Sequence, residues 1–134
     1  MHKQLFVLLS VLAALAHAWS FSVWTKTGYK GKRRSYFDVQ ASNGCFSLPT
    51  DITRPGVHSF KFCSMAYTRC SITMHSAKAC GGSVLGSATA GGPTREWLKS
   101  SVSQAGSRMK SFRIQGCKKV PLAGNLDVSK CRGE

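Results

Sequence analysis

Val57-His58-Ser59-Phe60-Lys61-Phe62 returns as Met109-Lys110-Ser111-Phe112-Arg113-Ile114, 52 positions further along the chain. Each copy reads apolar, basic-capable, Ser, Phe, basic, apolar. Within a copy the large apolar residues alternate with polar ones, so a strand places them on one face. Upstream of each copy stands a hairpin-like glycine: Gly31 lies 28 residues before Ser59, and Gly81 lies 30 residues before Ser111. A repeat of about 50 residues is long enough to be one supersecondary unit. It is too short to bury an apolar face alone, so two such halves must share one core.

The rest of the sequence is consistent with strands and turns. Phe21-Ser22-Val23-Trp24-Thr25 alternates, with Phe21, Val23 and Thr25 on one side and Ser22 and Trp24 on the other. Ser35-Tyr36-Phe37-Asp38-Val39 and Cys70-Ser71-Ile72-Thr73-Met74 read the same way, each bounded by turn residues. Gly81 to Thr94, rich in Gly, Ser, Ala and Thr, reads as a strand followed by a connection. Pro93-Thr94-Arg95-Glu96-Trp97-Leu98-Lys99 predicts a turn or two of helix with Thr94 as N-cap.

The first 18 residues have a different character. Basic His2 and Lys3 precede an apolar run from Leu5 to Leu15, and Ala16-His17-Ala18 follows as a small-x-small site. That order predicts a cleaved signal peptide, residues 1–18, and export of a single domain, 19–134. The apolar run is well short of the ~20 residues that cross a bilayer. All six cysteines, Cys45, Cys63, Cys70, Cys80, Cys117 and Cys131, fall beyond it, and an even count in a small exported chain predicts a disulfide framework. Their spacing lacks the close C-x-x-C pairs of a zinc site.

The formal net charge is +14, with 19 Lys and Arg against 5 acids, and only Lys3 of those cations leaves with the leader. So one-sided a surplus exceeds what solubility requires and attracts phosphate backbones, anionic lipids and acidic glycans. The densest basic run is Lys26, Lys30, Lys32, Arg33 and Arg34, interleaved with Trp24, Tyr29 and Tyr36. It is the candidate anionic-surface contact, because cations with adjacent aromatics suit phosphate attraction plus interfacial insertion or base stacking. A second cluster, Arg108, Lys110, Arg113, Lys118 and Lys119, is spread over a strand and a loop.

Trp24-Thr25-Lys26-Thr27-Gly28-Tyr29-Lys30-Gly31, followed by Ser59, resembles the motif of the βγ-crystallin superfamily. That motif opens with an aromatic, four residues, a second aromatic, one residue and a glycine, and later has a buried serine. In the second half Met74, Ala79 and Gly81 hold the corresponding spacing without either aromatic, and Ser111 fits the serine. The resemblance spans roughly residues 21–116 and is similar in design to small, basic, cysteine-bonded microbial exported proteins, antifungal and killer-toxin-like members among them. It implies an all-β fold, two Greek-key motifs packed as a disulfide-stabilised sandwich. Motif one covers about 20–64, motif two about 65–117, and a disulfide-tethered tail 118–134. Trp24, Tyr29, Gly31, Ser59 and Ser111 then have folding duties: the glycine permits positive φ, the aromatics cover the hairpin, and the serine bonds its backbone. Proximity in that topology suggests the bridges Cys70–Cys80, Cys45–Cys117 and Cys63–Cys131.

Many members of the superfamily hold calcium in two loops, which correspond here to Arg54-Pro55-Gly56-Val57-His58-Ser59 and Gly106-Ser107-Arg108-Met109-Lys110-Ser111. Neither contains a carboxylate, and a hard divalent cation needs several oxygen ligands and net negative charge, so no cofactor or metal is expected. A ribonuclease-like hydrolase could enlist only His58, His75 and Glu96, with His58 standing where the second copy has Lys110. No acid and base pair is recognisable, and no catalytic residue is assigned. The expected protein is therefore secreted, cationic, non-enzymatic and monomeric, antimicrobial or toxin-like or a host-directed effector. Its expected partner is an anionic membrane or wall surface of another organism, ahead of nucleic acid. A secreted ribonuclease and a structural wall- or matrix-associated protein are the alternatives.

Overall fold

Trp19, Phe21 and Val23 alternate with Ser20, Ser22 and Trp24 along the first strand, and the two sets take opposite faces of a sheet. The first set belongs to the shared core. The computed structural model describes residues 19–38, 44–64, 68–90 and 96–119. The expected leader, the N-cap at Thr94 and Cys131 with its bridge lie outside the described residues.

The elements in chain order are β1 Trp19–Lys26, β2 Lys30–Asp38, β3 Gly44–Ser47, a one-turn helix α1 Thr50–Thr53, β4 Ser59–Ser64, β5 Thr68–His75, β6 Val84–Ala90, β7 Glu96–Lys99 and β8 Ser111–Lys119. They form two four-stranded antiparallel sheets of order β2-β1-β4-β7 and β3-β8-β5-β6. Each half contributes a hairpin (β1–β2, β5–β6) and a fourth strand beside its first (β4 on β1, β8 on β5), while its third strand crosses to the other sheet. The third strands β3 and β7 thus exchange, and the halves cannot separate without opening both sheets. This is a disulfide-stabilised all-β sandwich of two Greek keys, the fold class expected from the sequence.

The two echoing segments are β4 and β8, and their apolar residues meet in the middle. Phe60 and Phe62 from one and Phe112 and Ile114 from the other are buried with Phe21, Val23, Ile72 and Met74. Phe112 is central, its ring 4.6 Å from Phe21 and stacked on Phe46 at 5.1 Å. Full burial of such a side chain contributes about 1.5–3 kcal/mol. α1 is too short to stand alone and is held by Ile52, which enters the core.

Two expectations are corrected. Glu96–Lys99 is a strand rather than helix, because β7 pairs with β4 and Trp97 packs edge-on against Phe60 at 4.8 Å. Tertiary pairing outweighs the weak helical preference of so short a segment. The bridges are Cys45–Cys80 and Cys70–Cys117, not Cys70–Cys80 and Cys45–Cys117. Cys70 stands near the start of β5 and Cys80 in the turn beyond its end, so most of a strand, roughly 17 Å, separates them. Cys45 lies opposite Arg113, and Cys117 is four residues, about 13 Å, further along β8. Both spans exceed the ~7 Å Cα limit of a disulfide. Cys63 is also disulfide-bonded. Such bonds form and persist in an oxidising compartment. Among the described residues no helix is long and apolar enough to cross a membrane.

Candidate anion-binding surface

The hairpin β1–β2 is shaped by its turn. Gly28, Tyr29 and Gly31 all have positive φ, and a Cβ on Gly31 would stand 2.4 Å from Thr25 Oγ1. That oxygen instead accepts the backbone N–H of Lys32 at 2.9 Å. Ser59, buried on β4, closes the fold of the hairpin by accepting the N–H of Tyr29 (3.0 Å) and donating to the carbonyl of Lys26 (2.7 Å). Trp24 and Tyr29 meet edge to face at 5.2 Å, and the Lys61 ammonium lies over both rings, 5.7 and 4.6 Å from their centres. The aromatics expected to assist surface contact therefore serve the hairpin. Trp24 is buried, and Tyr36 points into the core against Phe112.

All five cations of the run, Lys26, Lys30, Lys32, Arg33 and Arg34, are exposed. Strand geometry divides them. Lys26 and Lys30 face each other across the turn. Arg33 lies opposite Trp24 on the outer face, and Arg34 lies opposite Val23 on the inner one. Lys32 shares a hollow with Thr50, Asp51, Arg54 and Pro55. Burial raises the pKa of Tyr36, opposed by the charge of Arg34 and its hydrogen bond to the ring hydroxyl, and reinforced by Asp51. Phe37, on the same edge strand, is 50% exposed.

The second hairpin repeats the first by different means. Ser111 accepts the N–H of Cys80 (2.8 Å) and donates to the carbonyl of Ala77 (2.5 Å). Ser76 accepts the N–H of Ser83 (2.8 Å), and a Cβ on Gly82 would stand 2.4 Å from its hydroxyl. The counterparts of Trp24, Tyr29 and Gly31 are therefore His75, Cys80 and Gly82, one residue later than the Met74, Ala79 and Gly81 expected from spacing. Met74 is a core residue. The pairs Thr25/Gly31 and Ser76/Gly82 both have a hydroxyl residue six positions before the glycine, a signal present in the sequence and not used.

The loops before β4 and β8 meet side by side: Val57 N–H donates to the Ser107 carbonyl at 3.2 Å, and a Cβ on Gly56 would lie 3.0 Å from that same oxygen. Above this junction opens a cleft of about 510 Å³ lined by cations Arg54, Arg108 and Lys110 and by the serines Ser76, Ser83 and Ser107. Among the described residues no acidic side chain lines it. These are the loops that the resemblance relates to calcium sites, and their side chains do not fit that ion. The cations occupy the lining, and the hydroxyls of Ser59 and Ser111 are engaged with the hairpins. Arg113 projects from the outer face of the second sheet, opposite Cys45 and Thr73, so the second basic cluster is divided between a strand face and the cleft.

The hydrolase candidates are not assembled. His58 Nδ1 faces the carbonyls of Thr25 (2.9 Å) and Gly56 (3.2 Å), so it carries the hydrogen and serves as a backbone clamp rather than a free surface ring. Glu96 pairs with Cys63, five residues and about 16 Å along β4 from His58. His75 belongs to the other sheet, its ring nitrogens without hydrogen-bond partners. Among the described residues no group of three His, Cys, Asp or Glu is arranged to hold a metal.

No family model matches the sequence, and no curated protein matches it. Among solved structures the chain is similar to the N-terminal domain of Protein S, with a TM-score of 0.45 and 10% identity, over 77% of this chain and 99% of that domain.

Proposed function

We propose that this chain is an exported, cationic, non-enzymatic monomer that acts outside the producing cell on other organisms, as an antimicrobial or toxin-like protein or a host-directed effector. Its first step is electrostatic capture on an anionic membrane or wall surface, with nucleic acid a secondary partner. The observation that carries this reading is the exposure of Lys26, Lys30, Lys32, Arg33 and Arg34 on one edge of a protein whose charge is +14. The 19 Lys and Arg of the chain far outnumber its 5 acids, so a net positive field reaches into solution and is screened only by salt. The disulfides and the signal-type leader support export.

The direct test exposes microbial and host cells to oxidised protein beginning at Trp19. Growth arrest or cell death in one class of cell is the expected result, and indifference of all of them contradicts the reading. Incubation with RNA is the second arm. Turnover abolished by His58→Ala or His75→Ala would favour a ribonuclease instead.

A further inference from the structure

The cleft between the two motif loops is a site of another kind from the β2 edge. It is concave, about 510 Å³, within the roughly 300–1,000 Å³ range of small-ligand sites. Arg54 comes from the first motif and Arg108 and Lys110 from the second, so the exchanged-strand architecture brings cations from distant sequence to one opening. Its walls are fixed. The Val57–Ser107 hydrogen bond joins the loops, Lys110 N–H donates to the His75 carbonyl at 2.9 Å, and the Ser76–Ser83 bond holds the opposite rim.

The polar groups on that lining are mostly donors. Each guanidinium offers five N–H groups in a planar fork and Lys110 offers three. The Ser76 hydroxyl accepts from Ser83 N–H and keeps its own hydrogen to give. Ser107 has already donated its hydrogen to the Gln104 carbonyl at 2.7 Å and contributes only lone pairs. Two guanidinium forks with an ammonium suit the tetrahedral, doubly charged phosphate better than a singly charged carboxylate. The volume exceeds what one phosphate fills, leaving room for a sugar-sized carrier.

We propose that this cleft binds a phosphate-bearing group of sugar size, free or displayed on a lipid headgroup, held by Arg54, Arg108 and Lys110. The proposal deepens the surface-capture reading: β2 and its neighbours supply general attraction, and the cleft supplies selectivity for phosphate groups.

The test is titration calorimetry of the oxidised protein with myo-inositol hexakisphosphate at fixed ionic strength. Three proteins are compared: unmodified, Arg54→Gln/Arg108→Gln, and a charge-matched control, Lys99→Gln/Lys118→Gln, at exposed positions outside both the cleft and the β1–β2 basic run. Loss of two charge-assisted contacts should weaken binding by the cleft variant at least about tenfold, and the control by less than about twofold. Circular dichroism establishes that each variant is folded, and Lys110→Gln gives an independent second variant. Equal weakening in both double variants, or no binding by the unmodified protein, overturns the site. Vesicles carrying a phosphoinositide, compared with phosphatidylserine vesicles of equal surface charge, identify the source. Preference for the phosphoinositide assigns the lipid headgroup, and equal binding assigns the soluble ligand. Calorimetry in solution reads the cleft alone, so failure of vesicle capture and failure of the cleft are separable.

Discussion

Tyr29 and Cys80 occupy the same place in the two hairpins: their φ angles are 62° and 57°, and each gives its backbone N–H to the serine of its own motif. One hairpin is then covered by an aromatic pair beneath the Lys61 ammonium. The other is tied through Cys80 to Cys45 on β3. The backbone device is retained while its cover is exchanged for a covalent link.

Replacing either serine strands the same two backbone groups. Ser59→Ala leaves Tyr29 N–H and the Lys26 carbonyl without that partner, and Ser111→Ala does the same to Cys80 and Ala77. Each should lower unfolding free energy by about 2–4 kcal/mol in guanidinium titrations. A silent Ser111→Ala beside a costly Ser59→Ala would contradict the equivalence.

Glycine substitutions should separate backbone conformation from space. Gly28 and Gly31 both have positive φ, but a Cβ on Gly28 meets nothing within 4 Å, whereas on Gly31 it meets Thr25 Oγ1. Gly28→Ala should cost about 1–2 kcal/mol, and Gly31→Ala or Gly82→Ala distinctly more, because the clash adds to the conformational cost. Thermal unfolding of the three variants orders them.

What could be read in advance was the part governed by period and repeat. The Ser59/Ser111 echo and the alternation in Phe21–Thr25 announce a shared core between two β halves, because burial of one strand face writes itself into every second residue. The exchange of β3 and β7 between sheets leaves no local mark, and with it went the cysteine pairing and the strand at Glu96–Lys99. The register of the second hairpin was missed by one residue because both aromatics are absent there. The exposed run Lys26–Arg34 was visible as composition. The cleft was not, since Arg54 and Arg108 become neighbours only through loops that meet in three dimensions.

Peptide mapping of the unreduced protein should recover fragments joining Cys45 to Cys80 and Cys70 to Cys117. Removing the first bridge, by Cys45→Ser together with Cys80→Ser, opens a loop of 35 residues and should cost about 3–4 kcal/mol in denaturant unfolding. Recovery of Cys70 joined to Cys80 would contradict the strand arrangement.

Tyr36 gives a pH signature. Its pKa in the folded protein is raised above the ordinary 10.0, chiefly by burial. The neutral phenol is favoured on folding, so this contribution is fully present below about pH 10 and is lost as pH rises through the folded value. Unfolding free energy of the unmodified protein should therefore fall more steeply above pH 10 than that of Tyr36→Phe, and the phenolate absorbance missing from the variant should develop late. Identical alkaline slopes would contradict the burial.

Capture by charge is tested most directly by measuring how much oxidised protein sediments with acidic phospholipid vesicles as salt rises. Between about 50 and 500 mM salt the screening length shortens roughly threefold. Binding should fall by at least about tenfold, and binding to neutral vesicles should be weak throughout. Retention that is the same at both ionic strengths, or equal on neutral and acidic vesicles, would contradict the account.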